Sequence, residues 1–162
     1  MKNIVVVCTG NICRSPMAEG LLRERLARAG LGGKVSVLSR GVAALDGEPA
    51  SAPGVEILLE RGINIQPHRA ITLTEADLRR AEVVLVMEEA HRRVIGSFAP
   101  QALPRVLLWT ELNGGSGDVA DPYLRGRAAY EATLAVLETH LSEGWSDLLA
   151  RLRVKAKVDL HG

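Results

Sequence analysis

Hydrophobic and polar positions follow two rhythms along this chain, and the changes of rhythm mark its elements. Ile4 to Cys8 is an unbroken, β-branched apolar run, the pattern of a strand buried on both faces. A polar turn follows, and then Leu21, Leu22, Leu26 and Ala29 return at helical spacing until Gly30 and the Gly32-Gly33 pair stop them. Ser15 before Pro16 predicts an N-cap with proline at the first helical position. Lys34 to Ser39 has the residue types of a second strand, and the loop RGVAALDGEP leads to a helical pattern from Ala52 to Arg61, closed by Gly62. Thr74 to Ala81 predicts a short helix capped by Thr74, and Val83 to Met87 a third strand. Glu88 to Phe98 predicts a helix ended by Pro100, and Arg105 to Leu108 a fourth strand. From Gly126 to about Val154 the positions Ala129, Leu134, Leu137, Leu141, Leu148 and Leu152 predict one long helix. The closing residues 155–162 lose the period and predict a frayed tail.

Strands alternating with helices imply an α/β domain, a parallel sheet covered on both faces and wound by right-handed crossovers. Sites in such sheets lie beyond the carboxyl ends of the strands, and Cys8 is at the end of the first. With 162 residues and no repeat or linker, residues 1–154 are expected to form one domain.

Composition narrows the function. The formal net charge is +1 and aromatic residues are 3 %, so neither a basic stripe nor stacking platforms point to nucleic acid. The apolar run in MKNIVVVCTG is too short for a signal-peptide core or a membrane span, which makes a cytoplasmic location without a membrane partner the expectation. Two cysteines cannot form a disulfide framework for a chain of this size. Both fall in one stretch, CTGNICRS, between the first strand and the first helix.

That stretch is suited to hold an anion by attacking it. A helix N-terminus offers backbone N–H groups without helical partners and a favourable dipole. The helix end and the nearby guanidinium both favour thiolate at Cys8, which makes it a candidate nucleophile. Arg14 supplies a planar fork for two phosphoryl oxygens, and the Ser15 hydroxyl can hydrogen-bond the sulfur. The nucleotide-binding pattern G-x-x-x-x-G-K-[ST] is absent. His68, His91, His140 and His161 are scattered without ligand spacing, so no metal is expected.

Cys-x5-Arg-Ser after an N-terminal strand, with Asp121-Pro122-Tyr123 before the C-terminal helix, resembles the low-molecular-weight protein tyrosine phosphatases over nearly the whole chain. The resemblance implies a single doubly wound domain with four parallel strands in the order 2-1-3-4. It implies Cys8 as nucleophile, Arg14 as phosphoryl ligand and Asp121 as general acid and then base, with Thr9, Gly10, Asn11, Ile12, Cys13 and Ser15 completing the phosphate-binding loop. Asn11, Ser15, Ser39 and His68 match the family's network around the loop. The mechanism would pass through a phosphocysteine, need no cofactor and take a phosphorylated protein as substrate, with the enzyme a monomer or weak dimer. Cys13 is open between a space filler and a redox partner of Cys8. Asp118 is a rival acid to Asp121.

The substrate cleft is expected to include Ile12, Tyr123 and Leu124. The loop RGVAALDGEPA lacks the aromatic residue typical of phosphotyrosine enzymes and, with GDVADP, is more similar to the bacterial branch containing protein arginine phosphatases. Ile12 is typical of the tyrosine enzymes and cannot accept a hydrogen bond from a guanidinium-linked phosphate, so phosphotyrosine is the expected substrate and phosphoarginine the alternative. An arsenate reductase of this fold would need a further cysteine on a distant segment, and a phosphocysteine carrier would have no use for Arg14 and Asp121.

Overall fold

The computed structural model describes residues 1–157. The rest of the expected frayed tail, His161 included, lies outside the described residues. Strands β1 (Lys2–Cys8), β2 (Val35–Gly41), β3 (Val83–Val86) and β4 (Val106–Leu108) form one parallel sheet in the order β2-β1-β3-β4, as expected. The central place of β1 explains its composition. Ile4, Val6 and Cys8 enter the core on one face, and Val5 and Val7 enter the core on the other. A polar side chain on either face would be buried without a partner, at a cost of about 1–3 kcal/mol. At the sheet edge β2 instead alternates buried and half-buried positions.

Helices α1 (Arg14–Arg28), α2 (Ala52–Leu59), α5 (Arg127–Glu143) and α6 (Trp145–Leu152) cover the first face through residues such as Met17, Leu58, Leu137 and Leu148. Helices α3 (Glu75–Arg80) and α4 (Glu89–Phe98) cover the second through Leu78 and Ile95. Thr74 caps α3 as expected: its side chain accepts from Asp77 N at 3.2 Å while the Asp77 carboxylate accepts from Thr74 N at 3.0 Å. At the far end of the described chain, Lys157 N donates to Ala29 O at 3.0 Å.

Several expectations need correction. Ser15 is not the N-cap of α1: the helix starts at Arg14 and Cys13 occupies the cap without a side-chain bond. The Ser15 hydroxyl is turned instead to the Cys8 sulfur and the Asn11 amide, and Pro16 fits because first-turn N–H groups have no helical acceptor anyway. The long C-terminal helix is two helices broken at Gly144. A Cβ at Gly144 would come within 2.3 Å of the Leu112 carbonyl oxygen, so the chain turns where only glycine can pass. The Leu112 backbone belongs to the second of two unforeseen 3-10 turns, Pro100–Arg105 and Trp109–Asn113. The latter seats Trp109, fully buried with its Nε1 donating to Leu137 O at 3.0 Å. Truncating such a side chain costs about 3–5 kcal/mol.

Candidate active site

The stretch from Cys8 to Ser15 links the end of β1 to the first turn of α1 and wraps around a small concavity. Every carbonyl from Cys8 to Cys13 is held from outside. Val42 N donates to Cys8 O at 3.0 Å, Ala43 N to Thr9 O at 2.9 Å and Leu45 N to Gly10 O at 3.1 Å. His68 Nε2 donates to Asn11 O at 2.6 Å, Ser51 N to Ile12 O at 2.8 Å and Met17 N to Cys13 O at 3.3 Å. In a planar trans peptide the N–H points opposite to the carbonyl, so outward carbonyls turn the following N–H groups inward. The loop thereby becomes a nest of donors.

Asn11 fixes the turn. Its φ of 58° is left-handed, which asparagine tolerates better than most side chains. Its Nδ2 donates to Ser15 Oγ at 2.7 Å and Ser39 Oγ at 3.1 Å, and its Oδ1 accepts from Ile71 N at 2.9 Å. The network expected of Asn11, Ser15, Ser39 and His68 is thus brought together. Gly41 also belongs to it, because a Cβ there would meet Thr9 O at 2.6 Å.

Cys8 is buried, with Sγ 2.9 Å from Ser15 Oγ. Arg14 is 1 % exposed. Its Nη1 donates to Val119 O at 2.9 Å and pairs with Glu88 Oε2 at 2.7 Å, and its Nη2 lies 3.6 Å from Asp121 Oδ2. Its Nε is buried without a partner. A buried donor of this kind costs about 1–3 kcal/mol until an acceptor arrives. An oxyanion seated over Cys8 would supply that acceptor.

Asp121 is more open, its side chain 48 % exposed. Its Oδ1 accepts from Tyr123 N at 3.1 Å, which leaves Oδ2 facing the Arg14 side of the cleft. The rival Asp118 is engaged elsewhere, its Oδ1 accepting from Glu89 N at 2.8 Å at the start of α4. The cleft, of about 190 Å³, is walled by Thr9, Ile12, Ala43, Leu45 and Tyr123. Leu124 does not line it: the turn closed by Arg125 N on Pro122 O leaves this residue 85 % exposed, with a φ of 61°. Leu45 lines it instead, an aliphatic residue from the loop after β2, which carries no aromatic side chain.

Cys13 sits on the core side, its sulfur 3.2 Å from both Ser51 Oγ and Tyr130 Oη. Burial pushes the Cys13 thiol up, against the two hydroxyl contacts, and burial together with Cys13 pushes the Tyr130 phenol up to about 12. A larger groove of about 560 Å³ runs along α1 behind the loop, past Glu19, Arg40 and His68, and has no thiol in its walls. Among the described residues no cluster of three His, Cys, Asp or Glu is placed to hold a metal ion, and no helix is long and apolar enough to cross a membrane.

Glu88 and His91 were not foreseen as site residues. Glu88 stands just past the carboxyl end of β3, where the switch-point rule for parallel sheets directs attention, and it grips Arg14. The His91 ring reaches Thr9 Oγ1 at 2.9 Å from α4, a contact across the sheet that spacing alone does not reveal.

The model of the low molecular weight phosphotyrosine protein phosphatases matches residues 3–157. EpsP of Ralstonia nicotianae, named a "probable low molecular weight protein-tyrosine-phosphatase", is 41 % identical over 138 residues, 85 % of this chain and 90 % of that protein. A protein-arginine-phosphatase of Bacillus subtilis is 37 % identical over 142 residues, 87 % of this chain and 93 % of its own. The crystal structure of a low molecular weight protein tyrosine phosphatase from T. tengcongensis superposes with a TM-score of 0.85 at 37 % identity, covering 91 % of this chain and 99 % of that one.

Proposed function

The chain belongs to the low molecular weight phosphotyrosine protein phosphatase family, and on that premise we propose that it hydrolyses phosphotyrosine on proteins, with Cys8 as nucleophile, Arg14 as phosphoryl ligand and Asp121 as acid and base. The observation that carries the reading is the buried, unpartnered Nε of Arg14 beside inward N–H groups around the Cys8 sulfur. The Cys8 thiolate attacks phosphorus in line, the bond to the leaving oxygen breaks, and Asp121 gives that oxygen its proton. Water then attacks the phosphocysteine. Asp121 takes a proton from it, the S–P bond breaks, and the Ser15 hydroxyl receives the returning thiolate at hydrogen-bond distance. The inward donors and Arg14 supply the positive potential that the equatorial oxygens need in both steps, a task that other phosphoryl-transfer sites assign to a metal ion.

The apolar wall of Ile12, Ala43 and Leu45 facing Tyr123 supports an aryl substrate. Phosphoarginine is the second reading, favoured by the likeness to the Bacillus enzyme. For Cys13, contacts with Ser51 and Tyr130 and a thiol kept protonated by burial favour a structural part over redox exchange with Cys8. The protein would act in the cytoplasm as a monomer or weak dimer, without nucleic-acid or membrane partners.

The purified protein should hydrolyse an aryl phosphate in the presence of a chelator, and unchanged turnover in Cys8→Ser would sink the mechanism. Turnover on phosphotyrosine and phosphoarginine peptides, repeated with Ile12→Thr, decides the substrate: a preference of the unmodified protein for phosphoarginine reverses the choice.

A further inference from the structure

We infer that His91 is a positioning residue for the anion site, holding the Thr9 side of the loop and the Glu88 peptide together through a single neutral tautomer; the inference rests on the phosphatase reading. The ring is 2 % exposed, in the first turn of α4. Its Nδ1 accepts from the Glu88 backbone N–H at 3.1 Å, which requires a lone pair there and places the ring proton on Nε2. Nε2 therefore donates to Thr9 Oγ1 at 2.9 Å.

The two contacts reach the two arms of the site. Thr9 follows the nucleophile directly, and its peptide carries one of the inward donors. Glu88 carries the carboxylate that grips Arg14 Nη1 at 2.7 Å and leaves Nε free for an oxyanion. The same carboxylate oxygen is 3.5 Å from His91 Nε2, so ring, carboxylate and guanidinium form one connected unit. Burial pushes the imidazole pKa down to about 4, with Arg14 adding to the shift and Glu88, Asp118 and Asp121 opposing it. At neutral pH the ring is uncharged and the Nδ1 lone pair stays available to the Glu88 N–H. A protonated ring would set two donors against each other at that contact.

A plain helix cap needs only the near acceptor, whereas positioning of the loop rests on the far donor. Two amides separate these parts. His91→Asn keeps an acceptor close to the place of Nδ1 and loses the reach to Thr9; His91→Gln keeps a donor close to the place of Nε2 and loses the near acceptor. Inorganic phosphate affinity by calorimetry and kcat on an aryl phosphate are the readouts, beside thermal midpoints. His91→Asn should lose about tenfold in kcat and in phosphate affinity, the equivalent of one good hydrogen bond, while His91→Gln stays within about threefold. Thr9→Val should match His91→Asn, and the double variant should lose nothing further.

Unchanged kcat and phosphate affinity in His91→Asn, or a larger loss in His91→Gln, would make the ring a helix cap only and overturn the inference. Should His91→Asn fail to fold, Thr9→Val decides by the same phosphate titration. The ¹⁵N shifts of His91 in the unmodified protein test the tautomer without any turnover: an Nδ1–H tautomer or an imidazolium at pH 7 overturns the inference. A protein that binds phosphate with the expected tautomer but hydrolyses nothing would refute the phosphatase reading alone.

Discussion

The Cys8 loop and the Asp121 loop face the same anion site and are built in opposite ways. The first is one contiguous stretch, buried at Cys8, Asn11 and Cys13 to Ser15, with each carbonyl from Cys8 to Cys13 tethered from outside and Asn11 bonded on every polar atom of its amide. The second is anchored as far as Ala120, through Val119 N donating to Met87 O at 2.8 Å and Thr133 Oγ1 donating to Ala120 O at 3.4 Å, and at Asp121 it opens. Asp121 keeps one intraloop bond, to Tyr123 N, and a half-exposed carboxylate. The difference matches the two tasks proposed for these loops. Oxygens that carry charge in both steps of the reaction need donors already in place, since reorganising them would raise the barrier. A group that must meet first a leaving oxygen and then a water needs room for exchange.

Arg14→Lys should produce the largest change. A lysine can keep the pair with Glu88 but cannot also present a second donor in the guanidinium plane, so kcat/KM on an aryl phosphate should fall about 10²–10³-fold. A fall of less than tenfold would mean that the rigid loop does not depend on its fork. Asp121→Asn should cost about 10²-fold on an alkyl or unactivated phenyl phosphate and little on a nitrophenyl ester, whose oxygen leaves without a proton. Its stability should stay within about 0.5 kcal/mol of the unmodified protein, as for other exposed substitutions. Equal losses on both leaving groups would remove the acid from Asp121 and erase the division of labour between the loops.

The same contrast sets what could be read in the sequence. The Cys8 loop was legible because its chemistry is local: strand, turn and helix start follow one another, and Cys8, Arg14 and Ser15 sit at fixed offsets. The sheet was legible because β1 from Ile4 to Cys8 is buried on both faces and carries no polar position there. Glu88, His91, Leu45 and Gly41 were missed because their parts depend on which strand ends are neighbours, and no periodicity records that. For Ser15 the expected bond to the Cys8 sulfur forms, and only the expected N-cap fails, for a related reason. Its offset before Pro16 fits a cap, but the sulfur and the Asn11 amide compete for the same hydroxyl and win. Gly144 was passed over because an apolar period continues on both sides of it, while the Leu112 backbone that demands a glycine lies far away in sequence.

One residue in each of the two loops has an uncommon backbone conformation, and the pair tests the contrast at its finest. Asn11 has a φ of 58° and Leu124 a φ of 61°. A glycine at either position relieves the left-handed strain, so the sign of the stability change reports what the side chain contributes. At Asn11 the strain is small for an asparagine, and Asn11→Gly would give up its bonds to Ser15, Ser39 and Ile71 N and leave buried polar groups without partners. It should destabilise by about 2 kcal/mol, read from urea unfolding. At Leu124 the side chain is 85 % exposed and has almost no packing to lose. Left-handed leucine costs about 1–2 kcal/mol, and glycine returns about 0.5–1 kcal/mol of that through the greater freedom of the unfolded chain. Leu124→Gly should therefore stabilise by about 0.5 kcal/mol, the smallest effect and the opposite sign. Destabilisation there would mean that the open loop holds Leu124 by contacts as firm as those around Asn11, and the contrast between the two loops would fail at its most exposed residue.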